Sequence, residues 1–218
     1  MRYKAVLFDL DGTLADTAPD LAGALNRLRG EQGLPALPLA LLRPHASAGV
    51  RGLLAAGFQL APEDAQYATL AERFLDLYAA NLYTDSRLFS GIAELLNQLD
   101  EAGLAWGIVT NKRERFSLPL IQRLGWEQRL ACLVSGDTVA TTKPSPQPLL
   151  HALAQIGSDA ADAVYIGDDL RDIIAGRAAG MHTIAAAYGY LGADGDPASW
   201  GADFLVHNPA ELGQIIFC

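Results

Sequence analysis

Apolar residues follow two rhythms along this chain. Ala5-Val6-Leu7-Phe8 is a short continuous run, as a strand buried on both faces requires, and Gly12 soon after it permits a sharp exit from a sheet. From residue 18 to about 81 the rhythm is helical. Leu21, Ala24, Leu25 and Leu28 fall on one helix face, and Gly33, Pro35, Pro38 and Pro62 break the block into pieces. From Gly91 onward helix and strand alternate. A helix through Ile92, Leu95, Leu96 and Leu99 leads to a strand over 104–109, and further strands are expected over 130–134, 163–166 and 183–187. The helical stretches between them end near Gly125, Gly157 and Gly180, and Phe204–Val206 is a last strand before a C-terminal helix. This alternation predicts an α/β fold with a mainly parallel sheet, helices on both faces and right-handed crossovers. The expected core spans 1–15 and 88–218, and the helical block over 16–87 is read as an inserted α-helical cap lying over the active edge of the sheet.

Composition narrows the partners. The 218 residues are 50% hydrophobic, enough for a sizeable core in one domain with a large insertion or in two small ones. The 16 Lys and Arg against 25 Asp and Glu give a formal charge of -9, which argues against nonspecific binding to nucleic acid or anionic membranes. An anionic substrate would therefore need local compensation. Asp9 interrupts the first apolar run and no later segment approaches membrane-spanning length, so a cytoplasmic protein without a membrane partner is expected. Cys132 and Cys218 are the only cysteines, which makes a disulfide framework improbable, and Cys132 is expected inside a strand.

The chemistry gathers at strand ends. Asp9 and Asp11 sit one residue apart at the C-terminal end of the first strand, the edge where ligands bind in open α/β sheets, and two anions there repel unless a cation or a shared proton relieves them. A calcium loop does not fit, because Thr13-Leu14-Ala15-Asp16-Thr17 lacks the alternating oxygen ligands and terminal Glu. The strand ending at Val109 delivers Thr110 and Asn111, possible donors to an oxyanion. Lys143, held before Pro144 just ahead of a helix, is a candidate fixed cation. The strand ending at Ile166 delivers Asp168, Asp169 and Asp172; with Asp9 and Asp11 they make an oxygen-rich site suited to Mg2+.

Asp9-Leu10-Asp11-Gly12-Thr13, Thr110, Lys143 and Gly167-Asp168-Asp169, in that order, resemble the four motifs of the haloacid dehalogenase superfamily. The resemblance covers essentially the whole chain, and a helical cap between the first two motifs is the arrangement of the phosphoglycolate-phosphatase-like branch. It implies a Rossmann-like core and phosphoryl transfer from a small phosphorylated metabolite. Asp9 would be the nucleophile, Asp11 the acid and base, and Thr110 and Lys143 the groups meeting the phosphoryl oxygens. Mg2+ would be held by Asp9, the Asp11 backbone carbonyl and Asp168, with Asp169 and Asp172 behind them.

Substrate choice would lie in the cap, where Arg43, His45 and Arg51 are the cationic candidates for a carboxylate, Arg51 being preferred because it follows the Ser-Ala-Gly turn. Asn111 is a further candidate for substrate contact. The runs 109–112, 167–173, 188–190 and 200–203 resemble the N-acetylmuramic acid 6-phosphate phosphatases of bacterial cell-wall recycling. Phosphoglycolate is the alternative substrate; a phosphomutase and a non-catalytic phosphometabolite-binding protein are the rival readings. A monomer or dimer is expected.

Overall fold

The computed structural model describes residues 3–192 and 195–218; residues 1, 2, 193 and 194, which the expected core spans include, lie outside the described residues. The first strand, β1 (Ala5–Phe8), has no exposed residue, as its unbroken apolar run requires. It pairs in parallel on one side with β4 (Ala105–Val109) and on the other with β6 (Ala163–Gly167). Beyond β4 lies β5 (Cys132–Val134); beyond β6 come β7 (His182–Ala186) and β8 (Phe204–Val206). The order β5-β4-β1-β6-β7-β8 is parallel throughout, so β1 lies centrally and the chain order reverses beside it. That reversal opens a crevice at the strands' C-terminal edge. The core helices are α5 (Ile92–Glu101), α6 (Glu114–Leu124), α7 (Gln147–Ile156), α8 (Leu170–Ala178) and α9 (Ala210–Phe217). Gly125 and Gly157 end α6 and α7 in the left-handed conformation.

Between β1 and α5 the chain makes a detour. A two-residue strand β2 (Ala15–Asp16) leads out to α1 (Ala18–Glu31), α2 (Leu39–Ala46), α3 (Gly49–Phe58) and α4 (Tyr67–Ala80), and β3 (Arg87–Leu88) leads back. β2 and β3 pair antiparallel, Ala15 with Leu88 and Asp16 with Arg87. The helices have a core of their own: Leu25, Leu28, Leu53, Leu54 and Phe74 are fully buried, each contributing about 1.5–3 kcal/mol. Asp20, 2% exposed near the start of α1, pins the returning chain. It accepts from the N–H groups of Thr84 (3.0 Å), Asp85 (2.8 Å) and Ser86 (3.2 Å) and from Ser86 Oγ (2.5 Å).

The structure departs from the sequence reading at element ends. Leu130 lies outside β5, because its N–H and that of Arg129 close a turn on the Trp126 carbonyl. Ala187 lies beyond β7 although its N–H still reaches the Val206 carbonyl. β2 and β3 were not anticipated, two residues being too few to show a period. No helix among the described residues is long and apolar enough to cross a membrane.

Candidate active site

The C-terminal ends of β1, β4 and β6 converge under the inserted helices on a cleft of about 280 Å³. Asp9, Asp11, Thr110, Asn111, Lys143, Asp169 and Asp172 all line it. Asp9 follows β1 directly, and its N–H is held by the Ile166 carbonyl at 2.8 Å. Behind it, Asp168 is 1% exposed and bonded at both oxygens, to Thr13 Oγ1 (2.9 Å) and to the Tyr190 N–H (2.8 Å). Two glycines make room for it. A Cβ on Gly12, which also has a φ of +87°, would collide with the Asp168 carboxylate, and one on Gly189 would collide with Asp168 Cβ and the Gly12 carbonyl.

Asp9, Asp168 and Asp172 bring carboxylate oxygens within 4.8 Å of one another. Burial pushes the Asp168 carboxyl well above the usual range, and the neighbouring Asp9 and Asp172 charges add to it. Lys143 offsets part of this anionic charge: its Nζ stands 2.7 Å from Asp172 Oδ1 and 2.9 Å from Asp9 Oδ1, and donates to the Val109 carbonyl and Tyr165 Oη. The contact with Asp9 is an ion pair without hydrogen-bond alignment, which leaves Asp9 Oδ1 a buried oxygen lacking a directed donor. An all-oxygen, over-charged, under-donated cluster fits a hard divalent cation such as Mg2+.

The other expected residues divide by position. Thr110 is buried at the end of β4, its Oγ1 accepting from the Lys112 N–H at 3.1 Å, so its hydroxyl proton is available to another acceptor. Asn111 uses both ends of its amide on the Lys143 backbone, Nδ2 donating to the carbonyl (3.0 Å) and Oδ1 accepting from the N–H (2.9 Å). It positions Lys143. Asp169 is the N-cap of α8, in a reciprocal box with Asp172, and its carboxylate meets Arg171 at 2.7 Å and Ser47 Oγ at 2.5 Å. Burial is the largest influence and works against its charge, but the Arg171 hydrogen bonds and charge together with the Ser47 hydrogen bond outweigh it and hold the carboxyl below its ordinary value.

The three cap cations do not line the cleft. Arg43 is turned to Asp16, bidentate at 2.9 and 2.7 Å, with its guanidinium over the Tyr190 ring; His45 and Arg51 are exposed. What the cap offers instead is the small-residue stretch from Ala46 to Val50 between those cations, with Phe74, Leu75 and Tyr78 of α4. The preference for Arg51 is corrected by helix geometry: α3 begins at Gly49 and carries Arg51 round to the solvent face.

Some site groups leave little mark in the sequence, Lys112 standing out only as a member of the run 109–112. Lys112 Nζ, in a side chain only 7% exposed, lies 2.9 and 3.1 Å from the two Asp11 oxygens and donates to Tyr78 Oη at 2.7 Å. Thr17 Oγ1 donates to Asp11 Oδ1 at 2.5 Å. Burial pushes the Tyr78 phenol up to about 12, so it stays neutral. Tyr190 accepts from the Thr17 and Ala18 N–H groups at the start of α1 while its own N–H holds Asp168, joining the hinge to the carboxylate cluster. Its place in the Tyr188-Gly189-Tyr190 run was the only hint. Lys112, Arg113, Lys143 and Arg171 at the cleft supply the local cationic charge that an acidic chain needs for an anionic substrate.

Comparison with known proteins places this geometry. A family model described as haloacid dehalogenase-like hydrolase matches residues 6–186. A phosphoglycolate phosphatase from Xanthomonas campestris pv. campestris (strain 8004) is 50% identical over 215 residues, covering 98% of this chain and 97% of the relative. An N-acetylmuramic acid 6-phosphate phosphatase from Pseudomonas aeruginosa is 46% identical over 216 residues, covering 99% and 96%. The crystal structure of a predicted phosphoglycolate phosphatase from Haemophilus somnus 129PT superposes with a TM-score of 0.87 at 25% identity, covering 99% of this chain and 98% of that one. The chain belongs to the haloacid dehalogenase-like hydrolase family, and it is a phosphatase.

Proposed function

We propose that the protein is a Mg2+-dependent phosphomonoester hydrolase of the cytoplasm that works through an aspartyl-phosphate on a small carboxylate-bearing metabolite, with N-acetylmuramic acid 6-phosphate as its substrate. Residues 16–87 serve as the cap and the remainder as the catalytic core. Asp9 attacks the phosphorus, the bond to the ester oxygen breaks, and that oxygen takes a proton from Asp11. Asp11, now a carboxylate, takes a proton from water as the water oxygen attacks the phosphoryl group, releasing inorganic phosphate and restoring both acids. Thr110 donates to a phosphoryl oxygen, and Lys143, fixed by Asn111, keeps the nucleophile oriented and its charge partly balanced. Asp9, Asp168 and the Asp11 carbonyl would hold Mg2+, which when bound neutralises phosphoryl charge.

One observation carries the substrate: beside the cations, the cleft wall is apolar, built from Leu21, Val50, Phe74, Leu75 and Phe116. That suits a sugar with acetyl and lactyl methyl groups, while phosphoglycolate has only a single methylene to place there. The second reading, phosphoglycolate, is favoured by the 50% identical relative of that name. Phosphate release from the two compounds, compared by kcat/KM in Mg2+, tests the choice. A higher value for phosphoglycolate would overturn the first reading, and Asp9→Asn protein with undiminished turnover would overturn both.

A further inference from the structure

The proposed acid, Asp11, is not free to work in the conformation observed. Lys112 contacts both of its oxygens and Thr17 holds one of them, so the carboxylate is tied to the hinge and to the cleft wall. To reach a leaving group it must release Lys112. Among the described residues Asp11 is the only carboxylate paired with that ammonium, which is almost wholly removed from solvent. A desolvated ammonium deprived of its carboxylate is strongly disfavoured unless another anion replaces it. The phosphoryl group is not available for this, being committed to Asp9, Thr110 and the carboxylate cluster.

Lys112 lines the cleft, and beside it stands Tyr78 Oη, which accepts from the ammonium and has its own proton to donate. An ammonium and a phenol side by side, one from the core and one from the cap, make a receptor for a carboxylate. Resting on the carboxylate-bearing substrate argued above, we infer that Lys112 and Tyr78 bind the substrate's carboxylate, and that this anion displaces Asp11 from Lys112; the released Asp11 carboxylate then takes a proton from solvent, which it gives to the leaving oxygen, and returns as the base. Recognition and activation are then one event. A phosphate ester lacking the second anion leaves Asp11 tied, which selects against it without any clash.

The test compares two esters differing in that group, N-acetylmuramic acid 6-phosphate and N-acetylglucosamine 6-phosphate, in wild type and in Lys112→Met. The readout is the ratio of their kcat/KM values, which is insensitive to a general loss of activity. Truncating one partner of a buried charge pair leaves the other uncompensated, so the preference for the carboxylate is expected to fall about 100-fold. Lys112→Arg should recover part of it. A wild type that prefers the carboxylate and a Lys112→Met protein that keeps the preference would overturn this inference alone. A wild type without preference would overturn it together with the substrate reading. If Lys112→Met fails to fold, as its melting curve reveals, Tyr78→Phe is read by the same ratio: a severalfold fall supports the receptor and an unchanged ratio overturns it.

Discussion

Replacing Asp20 by Ala should loosen the returning hinge without touching the cleft. The carboxylate is buried and receives four hydrogen bonds from three consecutive residues. Ser86 is 1% exposed, so its N–H and Oγ would be stranded, at roughly 1–3 kcal/mol each. Thr84 and Asp85 are exposed and regain water, so their bonds together add only about 1 kcal/mol. The sum is about 3–7 kcal/mol, a large part of the roughly 5–15 kcal/mol by which folded domains exceed their unfolded chains. For a chain of this size that lowers Tm by about 6 °C or more. Asp20→Asn separates the causes. With its amide oxygen in place of Oδ2 it keeps the three bonds to Thr84 and Ser86 and faces its NH2 towards the exposed Asp85 N–H, so the loss should be about 1–2 kcal/mol. Thermal and urea unfolding at neutral pH measure both. A fall under about 2 °C for Ala, or equal falls for Ala and Asn, would refute the reasoning.

The remaining predictions concern the cluster and the cap. Burial, opposed by Lys143, raises the Asp172 carboxyl to about 6, so the metal-free native state binds more protons than the unfolded chain between its unfolded value near 4 and that value. This term makes stability fall as pH rises through the window. Asp169, with its carboxyl held low, acts in the opposite sense and in a lower window: its contribution is present above the unfolded value and lost as pH falls through the folded one. A fixed concentration of Mg2+, a hundred times Kd at about pH 7, should therefore stabilise the fold by roughly 2.7 kcal/mol there and raise Tm less at about pH 5; a Tm indifferent to Mg2+ at both would contradict the cluster's role. Gly12→Ala should abolish turnover and Mg2+ stabilisation together, because the new methyl group collides with Asp168; retention of either, measured by phosphate release and melting, opposes that account. Arg51→Ala should leave kcat/KM within about twofold, since exposed side chains away from such features rarely matter, and a tenfold rise in KM would restore the arginine to the site.

Much of the core was legible because its signals are local. β1 is an uninterrupted apolar run ended by acids, and the strands before Thr110 and Asp168 each give way to a polar residue where the apolar segment stops, while Lys143 stands out by its place before Pro144 ahead of a helix. The cap resisted the same reading. Cation type suggested Arg43, His45 and Arg51, but whether a helical side chain faces a cleft depends on helix phase and on competing partners, and Asp16 lies 27 residues from Arg43 along the chain. Lys112 was passed over for the converse reason. It is adjacent in sequence to Thr110 and Asn111, yet its significance lies in contacts with Asp11 and Tyr78, separated from it by 101 and 34 residues. Asn111 points to a related blind spot: an amide after a strand suggests a ligand donor, and only the fold reveals that a distant loop consumes both its ends.

The antiparallel pairing of β2 with β3 has an evolutionary meaning. Directly opposed residues on such strands lie about 5 Å apart, so the whole helical block, however long, begins and ends at nearly one point. To the sheet it is no more than a surface loop, and the sheet's connectivity is indifferent to what hangs there. Cutting at Ala15–Asp16 and Arg87–Leu88 would allow the helices of one relative to be grafted onto the sheet of another as a cassette. A lineage could thus exchange what it recognises while inheriting its nucleophile unchanged, provided the graft brings a partner for Lys112.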